Sequence, residues 1–138
     1  MTIDRVLLEE GGCCDEKPEG KDNSLMSRLL QSRIVMVAGE VDMDLAEKVI
    51  TQLLLLDSAS QEPIKVVINT PGGHVDSGYA IHDVMRFVGS PVITIGAGWV
   101  ASIGVPILLG GDKDKRVSLP NTRYLLHQPS GGAGGQAA

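Results

Sequence analysis

The sequence predicts a single α/β domain built on a largely parallel sheet. Short β-branched apolar runs alternate with longer segments of helical periodicity, which is the pattern of successive strand–helix–strand units. Glycine-rich turns fall where strands hand over to helices. The length of 138 residues, with 43% apolar and 21% charged side chains, suffices for one core and is tight for a second. Right-handed crossovers are expected between the parallel strands.

Taken in order, Glu9 to Ser24 mixes Gly, Cys, Asp, Glu, Lys, Pro and Asn without apolar periodicity. Residues 1–24 are therefore expected to be a flexible N-terminal segment, with the folded domain covering 25–138. Arg33 to Ala38 is an apolar run of strand length closed by Gly39. From Asp42 to about Asp57, Leu45, Ala46, Val49, Ile50, Leu53 and Leu54 form one stripe of an amphipathic helix. Leu55 and Leu56 widen it, which predicts burial on more than one side. Ile64 to Asn69 is a second strand, followed by Thr70-Pro71-Gly72-Gly73 and a helix carrying Val75, Tyr79, Ile81, Val84, Met85 and Val88. Pro91 to Ala97 is a third strand, apolar enough to be covered on both faces. Ile103 to Leu109 reads as a short buried helix ending at Gly110 and Gly111, and Arg116–Leu119 and Thr122–Leu126 are short strands flanking a turn at Pro120 and Asn121.

Composition excludes several functions. A net charge of −5 disfavours nucleic acid and anionic membrane as partners, and four aromatic residues cannot build a base-stacking platform. No apolar run has the length of a membrane span, and the N-terminus lacks the order of a secretory signal, so a cytoplasmic location is expected. Cys13 and Cys14 are adjacent, where a mutual disulfide would be strained, and no His or Cys stands near them at metal-ligand spacing. Neither cofactor nor metal is expected.

Chemistry in such domains gathers at the carboxyl ends of the strands. The Thr70–Gly73 turn can present backbone N–H groups at a helix start. Ser102, after Gly98 and beside small Ala101, stands at a strand-to-helix turn where a hydroxyl can be exposed while the Ile103 amide faces an oxyanion. The alternative is that Ser102 merely caps the next helix. His74 and His82 read as surface or packing residues. His127 ends a strand ahead of Gln128-Pro129 and a glycine loop, from which an imidazole can serve a neighbouring loop as general base.

Five motifs in order, Ser27-Arg28-Leu29-Leu30, Ile68-Asn69-Thr70-Pro71-Gly72-Gly73, Gly98 to Gly104, Leu119 to Arg123 and His127-Gln128-Pro129, resemble the proteolytic subunit of the ATP-dependent Clp protease. The resemblance spans about Leu25 to Ala137. It implies a crotonase-like ββα superhelix, truncated before the handle helix, and a serine endopeptidase that cleaves unfolded polypeptide into short peptides with an AAA+ unfoldase. The implied assembly is a homo- or hetero-oligomeric ring. Ser102 matches the nucleophile, His127 the general base, and the backbone amides of Gly72 and Ile103 the oxyanion donors. Each such donor is worth about 2.7–4 kcal/mol of barrier.

Three departures qualify that expectation. The resemblance implies a triad aspartate downstream of the histidine, and the eleven residues that follow His127 include no acidic one. Low activity of this chain alone is expected, since losing that carboxylate costs a serine protease roughly 10⁴ in rate. The handle helix and the strand before it have no counterpart in the sequence. Trp99 and Val100 replace smaller or polar residues, and Pro106 stands four residues after Ser102, where a helix tolerates it in its first turn. Two other readings follow: a non-catalytic structural subunit of a mixed ring, or an acyl-CoA enzyme of the crotonase superfamily, which shares the paired-amide oxyanion hole.

Overall fold

A computed structural model of the chain describes residues 25–128 and 130. The N-terminal segment, with Cys13 and Cys14, lies outside the described residues. Element order is α1 (Leu25–Gln31), β1 (Ile34–Ala38), α2 (Met43–Ala59), β2 (Ile64–Thr70), α3 (Val75–Phe87), β3 (Val92–Ala101), α4 (Gly104–Leu109), a 3₁₀ turn (Lys113–Lys115), β4 (Arg116–Ser118) and β5 (Arg123–Leu125). All strand pairs are parallel, in the order β1-β2-β3-β4, with β5 also on β3. The α/β class and parallel sheet agree with the expectation, as do the positions of α2, β2 and α3.

Three features differ from it. Helix α1 is not among the expected elements: it has no fully buried residue, and its seven residues are too few for the periodicity of Leu25, Met26, Leu29 and Leu30 to stand out. Strand β2 alternates buried Ile64, Val66, Ile68 and Thr70 with exposed Lys65 and Asn69, and in β3 Ile93, Ile95 and Ala97 are only half-buried. Among the described residues the sheet is thus covered on one face, not both. Helix α2 likewise buries only Ala46, Val49, Leu53 and Leu56, leaving Leu55 60% exposed, so the second buried side expected for it is absent. The core is one cluster in which the sheet residues Val35, Val37 and Val66 pack against helix residues that include Leu53 of α2, Ile81 of α3 and Ile107 of α4.

The register of β3 matters most for the site. Ile68 pairs with Gly96 but Thr70 with Val100, so β3 takes two more residues than β2 over this step. Gly98 makes the detour possible with φ +63, and Asn69 Oδ1 accepts from the Trp99 N–H at 3.2 Å. Beyond it, β3 runs on to Ala101 and pairs with β5, a continuation absent from the sequence reading of Pro91–Ala97. The turn expected at Pro120 and Asn121 is closed by the Thr122 N–H donating to Leu119 C=O at 3.0 Å.

Polar tethers brace the opposite end of the sheet. Arg33, itself at φ +56, donates to the carbonyls of Leu56 (2.9 Å), Ser60 (3.1 Å), Glu62 (2.6 Å) and Pro63 (3.3 Å), tying the last turn of α2 and the turn after it to the start of β1. Only a planar fork reaches so many acceptors. Arg33→Ala is expected to cost about 2 kcal/mol, read as a lower urea midpoint; an unchanged midpoint would refute the role. Asp57 Oδ1 accepts from the Ser90 hydroxyl and N–H, both at 2.7 Å, and these bonds hold its carboxyl below the ordinary value of 3.8. A depressed carboxylate contributes stability above its unfolded value and loses it as pH falls through the lower folded value. Asp57→Asn should therefore melt earlier than wild type at neutral pH, with the gap closing as pH drops below 3.8; a constant gap would exclude this linkage.

Candidate active site

The site assembles where β2, β3 and β5 end. Ser102 follows β3 directly and adopts φ +53, a left-handed conformation that costs a non-glycine residue about 1–2 kcal/mol. Two bonds hold it there. Its N–H donates to Leu125 C=O at 2.8 Å, and its own C=O accepts from Val105 N–H at 3.0 Å. The first bond fastens the Ser102 turn to the end of β5, and two residues past Leu125 comes His127. Its Nε2 lies 2.8 Å from Ser102 Oγ.

Residues 25 apart in sequence are thus hydrogen-bonded through strand pairing, not through local spacing. The helix-cap alternative for Ser102 is overturned: Ile103 holds the cap position of α4, without a side-chain bond, and the Ser102 hydroxyl is turned to His127 instead. Pro106 is the third residue of α4, where its missing N–H would have lacked an intrahelical partner in any case. Among the described residues, the other ring nitrogen of His127 has no carboxylate partner.

The glycine turn closes against this elbow. Gly72, at φ +94, lies so near that a Cβ on it would come within 2.7 Å of Ser102 Cβ and 3.3 Å of the Ile103 nitrogen. Its N–H, however, donates to Thr70 Oγ1 at 3.0 Å, and that buried hydroxyl in turn donates to Gly39 C=O at 2.5 Å. The donor expected at Gly72 is therefore already engaged. Gly73 differs. Its neighbours on each side bond Val41, through Gly72 C=O (2.8 Å) and His74 N–H (2.7 Å), in an isolated parallel bridge. In such a bridge the central residue directs its own N–H to the opposite side. A double glycine in the sequence does not reveal which N–H a neighbouring threonine consumes; Thr70 ahead of Pro71 was the available signal.

An open cleft of about 190 Å³ adjoins the pair, walled by Val75, Tyr79, Val105, Pro106 and Leu126, with Ser102, Ile103 and His127 at its edge. The two other histidines serve the frame. His82 Nδ1 donates to Pro106 C=O at 2.7 Å, joining α3 to α4, and His74 caps α3.

A parallel α/β domain that sets a serine at a strained strand-to-helix elbow, hydrogen-bonded to a histidine, belongs to the class of arrangements in which an imidazole can take a hydroxyl proton. The comparisons narrow the class. The chain matches the sequence profile of the family described as Clp protease over residues 17–138. It is 48% identical over 123 residues to "ATP-dependent Clp protease proteolytic subunit 3" of Rhizobium meliloti, covering 89% of this chain and 62% of the relative. It is also 48% identical over 130 residues to subunit 2 of Pseudomonas aeruginosa, covering 90% and 65%. The solved structure of ClpP1 from Listeria monocytogenes superposes with a TM-score of 0.73 at 49% identity, covering 77% of this chain and 62% of that one. The chain belongs to the Clp protease family, and it spans about three fifths of the length of these relatives. Among the described residues no helix is long and apolar enough to cross a membrane.

Proposed function

We propose that the chain is a serine endopeptidase subunit of a Clp-type protease, with Ser102 as nucleophile and His127 as general base. The observation that carries this reading is the 2.8 Å bond between Ser102 Oγ and His127 Nε2 at a strained elbow. In the reaction Oγ attacks the scissile carbonyl while Nε2 takes its proton, then returns it to the leaving amine. The Ile103 N–H is one oxyanion donor. Gly73, not Gly72, supplies the other, because the Gly72 N–H is spent on Thr70. The apolar cleft beside Ser102 suits an apolar side chain next to the cleaved bond. The family relationship supports assembly into rings, delivery of unfolded polypeptide by an AAA+ unfoldase and a cytoplasmic setting.

The direct test is a fluorophosphonate probe, which reports an activated serine without requiring an unfoldase. Modification at Ser102, located by peptide mass, is expected in the folded chain and absent after Ser102→Ala. A folded chain that remains unlabelled would favour the structural-subunit reading, the one suggested by the carboxylate-free side of His127 among the described residues. Binding of a CoA thioester in the cleft, without labelling, would favour the acyl-CoA reading.

A further inference from the structure

The geometry points to His74 as a positioning residue that couples the orientation of the Gly73 peptide to the proton on its own imidazole. This inference rests on the proposed role of Gly73 as an oxyanion donor. His74 is fixed at two points. Its backbone N–H donates to Val41 C=O at 2.7 Å, and its side chain occupies the cap position of the 13-residue helix α3. There Nδ1 accepts the Ser77 N–H at 3.3 Å and lies 2.7 Å from Ser77 Oγ.

An amide N–H can only donate, so the cap requires a lone pair on Nδ1 and places the ring proton on Nε2. Protonation reverses that end of the ring. Nδ1–H would then donate to Ser77 Oγ, the Ser77 N–H would lose its acceptor, and a cation would sit where the dipole of α3 disfavours one. Glu47 of α2 and Asp76 of α3 are the charged groups that line the groove beside His74. The resulting shift passes to Gly73, held only through Gly72 and His74 against Val41 and lacking a side chain to brace it at φ +148. Ser77 is not a second nucleophile despite its 2.7 Å contact with the ring: it is 5% exposed, in the first turn of α3.

The test is heteronuclear NMR of the isotope-labelled full chain, titrated from about pH 8 to about pH 5. The Gly73 and Ser77 amide resonances should move together along the titration curve of the His74 ring. The movement should persist in His127→Gln, which removes the other nearby titrating ring, and vanish in His74→Asn, which caps without titrating. Should His74→Asn fail to fold, His74→Ser provides the same non-titrating cap. A Gly73 resonance that stays flat, or still moves in the capping variant, would overturn the coupling. In parallel, the labelling rate of His74→Asn relative to wild type should rise roughly threefold to tenfold as pH falls through the ring's titration; a constant ratio would also overturn it. Absence of Ser102 labelling at every pH would refute the proposed function, while the NMR experiment still decides the role of His74.

Discussion

Replacing His127 by alanine is expected to slow fluorophosphonate labelling of Ser102 by roughly 10²-fold, and Ser102→Ala to abolish it. The magnitude follows from two effects that overlap. In a complete triad, loss of the histidine costs on the order of 10⁶. Loss of the orienting carboxylate alone costs roughly 10⁴, because the imidazole is no longer held in the tautomer that frees Nε2 to accept a proton. His127 has no carboxylate partner among the described residues, so the larger part of the triad's advantage is already missing and about 10² remains for the histidine to lose. What remains comes from the 2.8 Å bond, which holds Nε2 beside Oγ without enforcing the tautomer. Rates of labelling by intact mass decide it. Equal rates for wild type and His127→Ala would mean that the contact has no part in activation. A drop near 10⁶ would mean that a carboxylate reaches the ring after all.

The strand and helix frame was legible because it is written in periodicities. Val35 and Val37 alternate with their neighbours along β1, and Ala46, Val49, Leu53 and Leu56 recur along α2, since each element has one face to bury. What could not be read depends on the partner that covers a residue. Leu55 carries the same side chain as Leu56 but faces solvent, and nothing local distinguishes the two. The β3 detour at Gly98 is written in a single glycine, and its length is set by pairing with β2, a contact 30 residues away between Asn69 and Trp99. The site divides in the same way. Ser102 and His127 were legible as members of an ordered set of motifs, whereas spacing alone favoured Ser102 as a helix cap. Thr70 decides between Gly72 and Gly73 through one buried hydroxyl rotamer, information that exists only once β1 and β2 are paired and Gly39 C=O is in place to accept it.

That close packing makes Gly72→Ala a damaging substitution beside the nucleophilic serine. Two penalties combine. At φ +94 an L side chain is strained wherever it points, at a cost of about 1–2 kcal/mol. The added Cβ would also meet Ser102 Cβ at 2.7 Å, Ala101 C=O at 2.9 Å and the Ile103 nitrogen at 3.3 Å. None of these is the far end of a flexible chain. Ser102 Cβ is fixed by a backbone already at φ +53, so relief requires the glycine turn and the start of α4 to separate. Such overpacking adds about 1–3 kcal/mol, and the displacement falls on the Ile103 amide and the serine itself. Gly39→Ala separates the two penalties, because Gly39 has a comparable φ of +83 but no neighbouring atom within 4 Å of the added carbon. Thermal melts should show Gly39→Ala destabilised by the strain alone, with Ser102 labelled at the wild-type rate. Gly72→Ala should melt lower still and, at a temperature where it remains folded, label at least about tenfold more slowly, the loss expected when a donor or nucleophile moves out of line. If the two variants melt together and label alike, the glycine turn does not support the elbow, and the closeness of Gly72 to Ser102 has no bearing on reactivity.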